Sequence, residues 1–172
     1  MLIRHHEPLG NLTEKPQDPL PENWKELAGK SGHIPARFDI VDEDKLFRSA
    51  IVWPHQVKHL RDNYGISNIV SLMDGDWLSE FYENSEVEIH QFPFLQRRAL
   101  TYNRIRGIVD VINESKRPCL VHCLKGSTRT GMVCAGYNII NGNKGKLASI
   151  AESVKYGMVN ISSIREMLYY SK

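Results

Sequence analysis

Pro118-Cys119-Leu120-Val121-His122-Cys123-Leu124-Lys125-Gly126-Ser127-Thr128-Arg129-Thr130-Gly131 is the stretch from which the fold is read. It opens on a short apolar run behind a proline, the pattern of a buried strand. A small and polar loop follows, and Thr130–Ile140 reads as a helix. In layered α/β folds ligands gather at the carboxyl ends of such strands. The helix start offers unpaired N–H groups and the positive end of a dipole, which suit an anion. Gly126 lets the loop curl so that successive N–H groups point inward as a nest. Arg129 follows Cys123 by six positions, and its planar fork can hold two phosphate oxygens. The same N–H groups and dipole favour a thiolate at Cys123. Nucleophile and oxyanion clamp then stand together, as covalent phosphoryl transfer requires.

Working outward, strands alternate with helices. Phe38–Val41 and Lys45–Arg48 read as two strands joined by the acidic turn Asp42-Glu43-Asp44. Pro54–Tyr64 reads as a helix stopped by Gly65. Ile66–Leu72 is a buried strand that runs into Met73-Asp74-Gly75-Asp76; Trp77–Asn84 is a short helix and Val87–Phe92 a strand. Thr101–Ser115 carries Tyr102, Ile105, Val109 and Ile112 at helical spacing. Lys146–Tyr156 and Ile161–Tyr170 complete the helices. The alternation predicts an α/β fold with a central, mostly parallel sheet flanked by helices. Residues 1–36 hold five of the eight prolines and read as an irregular N-terminal arm with one helical turn near Pro21–Lys30. Residues 37–172 make the domain.

Composition narrows the classes. The 172 residues are 41% hydrophobic and 24% charged, enough for a core and unlike a disordered tail. Lys plus Arg is 22 against 20 for Asp plus Glu, a net charge of +2 that argues against a bulk nucleic-acid binder. No apolar run approaches the roughly 18 residues of a membrane span. Three cysteines, Cys119, Cys123 and Cys134, do not make a disulfide framework; they read as free thiols in a reducing, cytoplasmic compartment. Cys119 and Cys134 read as core. No His or Cys pair has metal-site spacing.

The run His122-Cys123-x5-Arg129-Thr130-Gly131 resembles the signature loop of the cysteine-dependent protein tyrosine phosphatase superfamily. Lys45-Leu46-Phe47-Arg48-Ser49-Ala50 and Tyr64–Leu72 extend the likeness to small atypical dual-specificity phosphatases and to tyrosine-phosphatase-like inositol phosphatases. The resemblance covers about residues 37–170. It implies a phosphatase domain that needs neither cofactor nor metal. Cys123 would be the nucleophile that forms phosphocysteine, and Arg129 the group that binds the phosphoryl oxygens. The backbone from Leu124 through Lys125, Gly126, Ser127 and Thr128 to Arg129 would form the cradle. Thr130 would stabilise the thiolate as it leaves, and His122 would be structural.

One part of the family pattern is missing. A general-acid Asp is expected about 30 residues before the Cys, yet Gln91–Leu100 contains no Asp or Glu, and Gln96 stands near its place. Asp76, with Asp74 as alternative, is the substitute on the loop after the Ile66–Leu72 strand. Arg97 and Arg98, in the empty stretch, and Lys125, in the loop, would form a basic rim suited to an inositol phosphate or phosphoinositide; Tyr102 or Phe94 would instead wall a phosphotyrosine pocket. A phosphorylated small molecule or a phosphoprotein is the expected partner. The rival readings are a phosphate-binding pseudophosphatase and a rhodanese-like sulfurtransferase, the latter disfavoured by the Arg129-Thr130-Gly131 ending.

Overall fold

The computed structural model describes residues 2–6, 20–75, 77–93, 101–159 and 161–169. Six strands form one sheet: β1 (Leu2–His5), β2 (Asp39–Asp42), β3 (Leu46–Ser49), β4 (Asn68–Ser71), β5 (Glu88–Gln91) and β6 (Cys119–His122), in the order β1-β5-β4-β6-β3-β2. Every pairing is parallel except β2 with β3. The helices are α1 (Trp24–Lys30), α2 (Pro54–Tyr64), α3 (Trp77–Tyr82), α4 (Tyr102–Glu114), α5 (Thr128–Ile140), α6 (Lys146–Lys155) and α7 (Ile161–Tyr169).

The order follows from the residues. All four positions of β3, β4 and β6 are buried, because a parallel strand in mid-sheet is covered on both faces. The pair Arg48↔Val121 and the pair Val70↔Val121 place β6 between β3 and β4, and the row Ser49, His122, Ser71, Gln91 marks their carboxyl ends. α2 starts with Pro54 in its first turn, where a missing N–H costs nothing, and with the Trp53 N–H donating to the Gln56 side chain at 2.9 Å. It ends at Gly65, left-handed at φ 67°. α4 buries Ile105, Ile108, Val109 and Ile112, the stripe that the sequence spacing predicts. α5 is buried over most of its length and is tied to β2 by the Tyr137 hydroxyl, which donates to Asp42 at 2.8 Å.

The helical turn expected near Pro21–Lys30 is α1, residues 7–19 of the expected irregular arm lie outside the described residues, and the start of the arm needs correction. Leu2–His5 is an edge strand that pairs in parallel with Glu88–Gln91, and Arg4 bonds Glu88 at 2.5 Å. β5 has a bare edge there, and backbone hydrogen bonding to that edge gives order to a segment with little pattern of its own. Among the described residues no helix is long and apolar enough to cross a membrane.

Candidate active site

β6 carries the chain into the middle of the sheet and releases it at Cys123, which is 3% exposed. The loop from Leu124 to Ser127 then turns into α5. Three successive carbonyls of this loop accept hydrogen bonds from outside it. Leu124 O accepts from the Ile51 N–H at 3.3 Å, Lys125 O from the Arg37 guanidinium at 3.0 Å, and Gly126 O from the Arg48 guanidinium at 2.6 Å. A trans peptide sets each C=O opposite to the next N–H. The N–H groups of Lys125, Gly126 and Ser127 therefore point away from the three donors that hold the carbonyls. That is the geometry of an anion nest.

Gly126 makes the curl possible. Its φ is +64°, and a Cβ there would stand 2.5 Å from the Ala50 nitrogen and 2.6 Å from the Ser49 carbonyl carbon. The loop lies directly on the backbone that follows β3. Arg129 is buried in the first turn of α5, and its Nη1 donates to the Leu72 carbonyl at 2.8 Å. That bond fixes one arm of the fork to the end of β4. The Thr130 hydroxyl, fully buried, donates to the Cys123 sulfur at 3.1 Å. Leu124, Ser127 and Thr128 are half-buried, and Lys125 is exposed on the loop.

His122 is fully buried beneath the loop. Burial, with the nearby Arg129 charge second, pushes it down to about 3, so its ring is neutral near pH 7. The positive features around the loop are then the guanidinium groups, the Lys125 ammonium and the helix terminus. The shift has a consequence for stability. The unfolded chain takes up this proton at about 6.5, above the folded value, so the contribution is full above 6.5 and is lost as pH falls towards 3. Between pH 7 and 5 it should cost about 2 kcal/mol. Urea unfolding at both pH values should show that loss in the wild type and a smaller one in His122→Gln. His90, lowered chiefly by burial, moves in the same direction in both proteins and cancels in the comparison.

The structure brings Cys123, Arg129, Thr130 and the loop together. Asp74 is half-buried on the loop after β4, two positions beyond the carbonyl that anchors Arg129. Asp76, Arg97, Arg98, Gln96 and Phe94 lie outside the described residues. Tyr102 is half-buried at the start of α4. Cys119 and Cys134 are buried free thiols, as a core role expects, and burial pushes Cys134 up to about 11. Among the described residues no group of three or more His, Cys, Asp or Glu is placed to hold a metal. The sequence reading missed Arg37 and Arg48. An arginine within the apolar run Leu46-Phe47-Arg48 was the available signal for the second.

Residues 35–171 match the DSP-PTPase phosphatase domain of the Swiss Army Knife proteins, PTP-SAK. The chain belongs to that family. This DSP-PTPase domain is accordingly a cysteine-dependent phosphatase of the protein tyrosine phosphatase superfamily. No curated protein sequence matches it significantly. Solved structures share the fold of the domain. TpbA of P. aeruginosa in complex with pTyr is 22% identical, with TM-score 0.62 over 80% of this chain and 90% of that one. The catalytic domain of the PP-IP phosphatase SIW14 from S. cerevisiae, in complex with citrate, is 17% identical, with TM-score 0.65 over 80% and 87%. PTPMT1 in complex with PI(5)P is 12% identical, with TM-score 0.66 over 78% and 94%.

Proposed function

We propose that the chain hydrolyses phosphate monoesters through a phosphocysteine at Cys123. The observation that carries the proposal is the Thr130 hydroxyl on the Cys123 sulfur at 3.1 Å, at the base of a loop whose N–H groups point away from the donors that hold its carbonyls. The Cys123 thiolate attacks phosphorus in line, the S–P bond forms and the ester P–O bond breaks. The loop N–H groups and the Arg129 fork hold the equatorial oxygens as charge spreads onto them. Water then attacks phosphorus, the S–P bond breaks, and the Thr130 hydroxyl stabilises the departing thiolate. Three free thiols fit a reducing compartment, which we take to be the cytoplasm.

The departing alkoxide needs a proton, and we assign it to the loop after β4. Asp74 is the described candidate and Asp76 the other. If either acts, its Asn variant should lose activity mainly on alkyl phosphates, and the basic limb of the pH profile should flatten. Full activity of both variants on alkyl phosphates would exclude both residues.

For substrate we favour a polyphosphorylated inositol or phosphoinositide. Lys125 is exposed on the cradle loop, Arg97 and Arg98 follow β5 in the sequence, and two structurally similar proteins are a PP-IP phosphatase and a protein that binds PI(5)P. A phosphate-release screen over inositol phosphates, phosphoinositides and phosphotyrosine peptides tests the choice. Lys125→Ala and the Arg97→Ala/Arg98→Ala pair should lower kcat/KM on a multi-phosphate inositol about tenfold more than on para-nitrophenyl phosphate, with the gap closing as salt rises. Equal losses on both substrates would remove the polyanion preference.

The stretch Gln91–Leu100, without a carboxylate, favours one second reading, a phosphate-binding pseudophosphatase. Vanadate binding without turnover of para-nitrophenyl phosphate, whose leaving group needs little acid help, would select it.

A further inference from the structure

Two arginines outside the signature loop touch its backbone from behind. Arg48 lies on β3 opposite Val121 of β6, is 2% exposed, and donates to the Gly126 carbonyl at 2.6 Å. Its guanidinium carbon stands 3.7 Å from the centre of the Tyr156 ring, a cation–π contact that holds the plane in place. Among the described residues no carboxylate lies within ion-pair distance of it. Glu152 lines the same cavity and Asp39 pairs with Arg48 across β2 and β3, yet the guanidinium spends its directed hydrogen bond on the loop carbonyl, a use beyond filling space. Arg37 is exposed and donates to the neighbouring Lys125 carbonyl at 3.0 Å. Its own backbone is left-handed, at φ 56°, a conformation that a residue with a Cβ keeps only where its surroundings hold it.

We propose that Arg48 and Arg37 are positioning residues of the anion cradle. Arg48 fixes the Gly126–Ser127 peptide and Arg37 the Lys125–Gly126 peptide, so that the Ser127 and Gly126 N–H groups are aimed before any anion arrives. Each guanidinium also polarises the carbonyl that it holds, which makes the opposite N–H a better donor. A main-chain loop with a glycine at its centre has many other conformations, and these two bonds remove them in the empty protein. The inference rests on the reading of the loop as the phosphate site.

The test is the calorimetric Kd of orthovanadate, a mimic of the transferring phosphoryl group, measured alongside kcat and KM for para-nitrophenyl phosphate. Circular dichroism confirms folding at the assay temperature. Arg48→Met keeps the bulk and loses the donor. It should weaken vanadate about tenfold, with kcat falling more than KM rises, and Arg48→Lys should recover part of the loss. Arg37→Ala, at an exposed site, should weaken vanadate about threefold. A folded Arg48→Met protein that binds vanadate within twofold of wild type overturns the role of Arg48. An Arg37→Ala protein within experimental error of wild type overturns that of Arg37. If Arg48→Met does not fold, Arg48→Lys decides for that position: its ammonium should weaken vanadate measurably while the fold stands, and unchanged affinity counts against a directed guanidinium. Wild-type protein that neither binds vanadate nor turns over para-nitrophenyl phosphate would instead refute the phosphate site itself.

Discussion

Cys123→Ser should lower turnover of para-nitrophenyl phosphate by about 10⁴-fold or more, which corresponds to at least about 5 kcal/mol of lost transition-state stabilisation. A serine hydroxyl stays protonated near neutral pH, and the Thr130 hydroxyl that donates to the sulfur cannot act as its base. The bonds from Ile51, Arg37 and Arg48 that shape the loop do not involve the Cys123 side chain, so the cradle survives the substitution. Phosphate and vanadate should therefore bind within a few-fold of wild type. A variant that turns over within tenfold of wild type would refute a covalent step at this sulfur.

Gly126→Ala should be strongly damaging. The left-handed backbone alone costs an alanine about 1–2 kcal/mol. The new methyl would meet main-chain atoms of Ser49 and Ala50 at 2.5–2.7 Å, and backbone cannot swing aside as a flexible side chain can. Overpacking of this kind adds about 1–3 kcal/mol. Relief requires the loop to lift off the strand, which breaks the bond from Arg48 to the Gly126 carbonyl. Denaturant unfolding should show a loss of about 2–5 kcal/mol, and anion binding should fall with it. Gly142 has a similar φ, 72°, with open space around its would-be Cβ. Gly142→Ala is the control: strain without collision, and no effect on vanadate affinity.

The strand–loop–helix unit was legible because its evidence is local. Apolar spacing, Gly126 and the offset from Cys123 to Arg129 all lie within one short run. α2 was legible for the same reason, with Pro54 and Gly65 marking its ends. α5 begins two residues before the expected Thr130, because Ser127 O already accepts from the Gly131 N–H at 2.7 Å. β1 was missed because its order comes from β5, far along the chain, through pairs such as Ile3↔Ile89. The bonds from Arg37 and Arg48 were hidden likewise. The pattern around Arg48 gives a strand, but only the adjacency of β3 and β6 brings its side chain to Gly126. The empty Gln91–Leu100 stretch told what is missing without telling what replaces it, since a proton donor is defined by its approach to a substrate oxygen.

Four acceptors that shape this site are main-chain carbonyls: those of Leu124, Lys125 and Gly126 around the loop, and that of Leu72 beneath Arg129. A carbonyl is supplied by whatever residue occupies the position. Side chains at 72, 124 and 125 can therefore drift over evolutionary time without removing a single partner from the scaffold. The constraint collects instead on the few donors and on the one position where no side chain fits. A catalytic loop built in this way has a small genetic footprint, and it can outlast the replacement of most of the sequence around it.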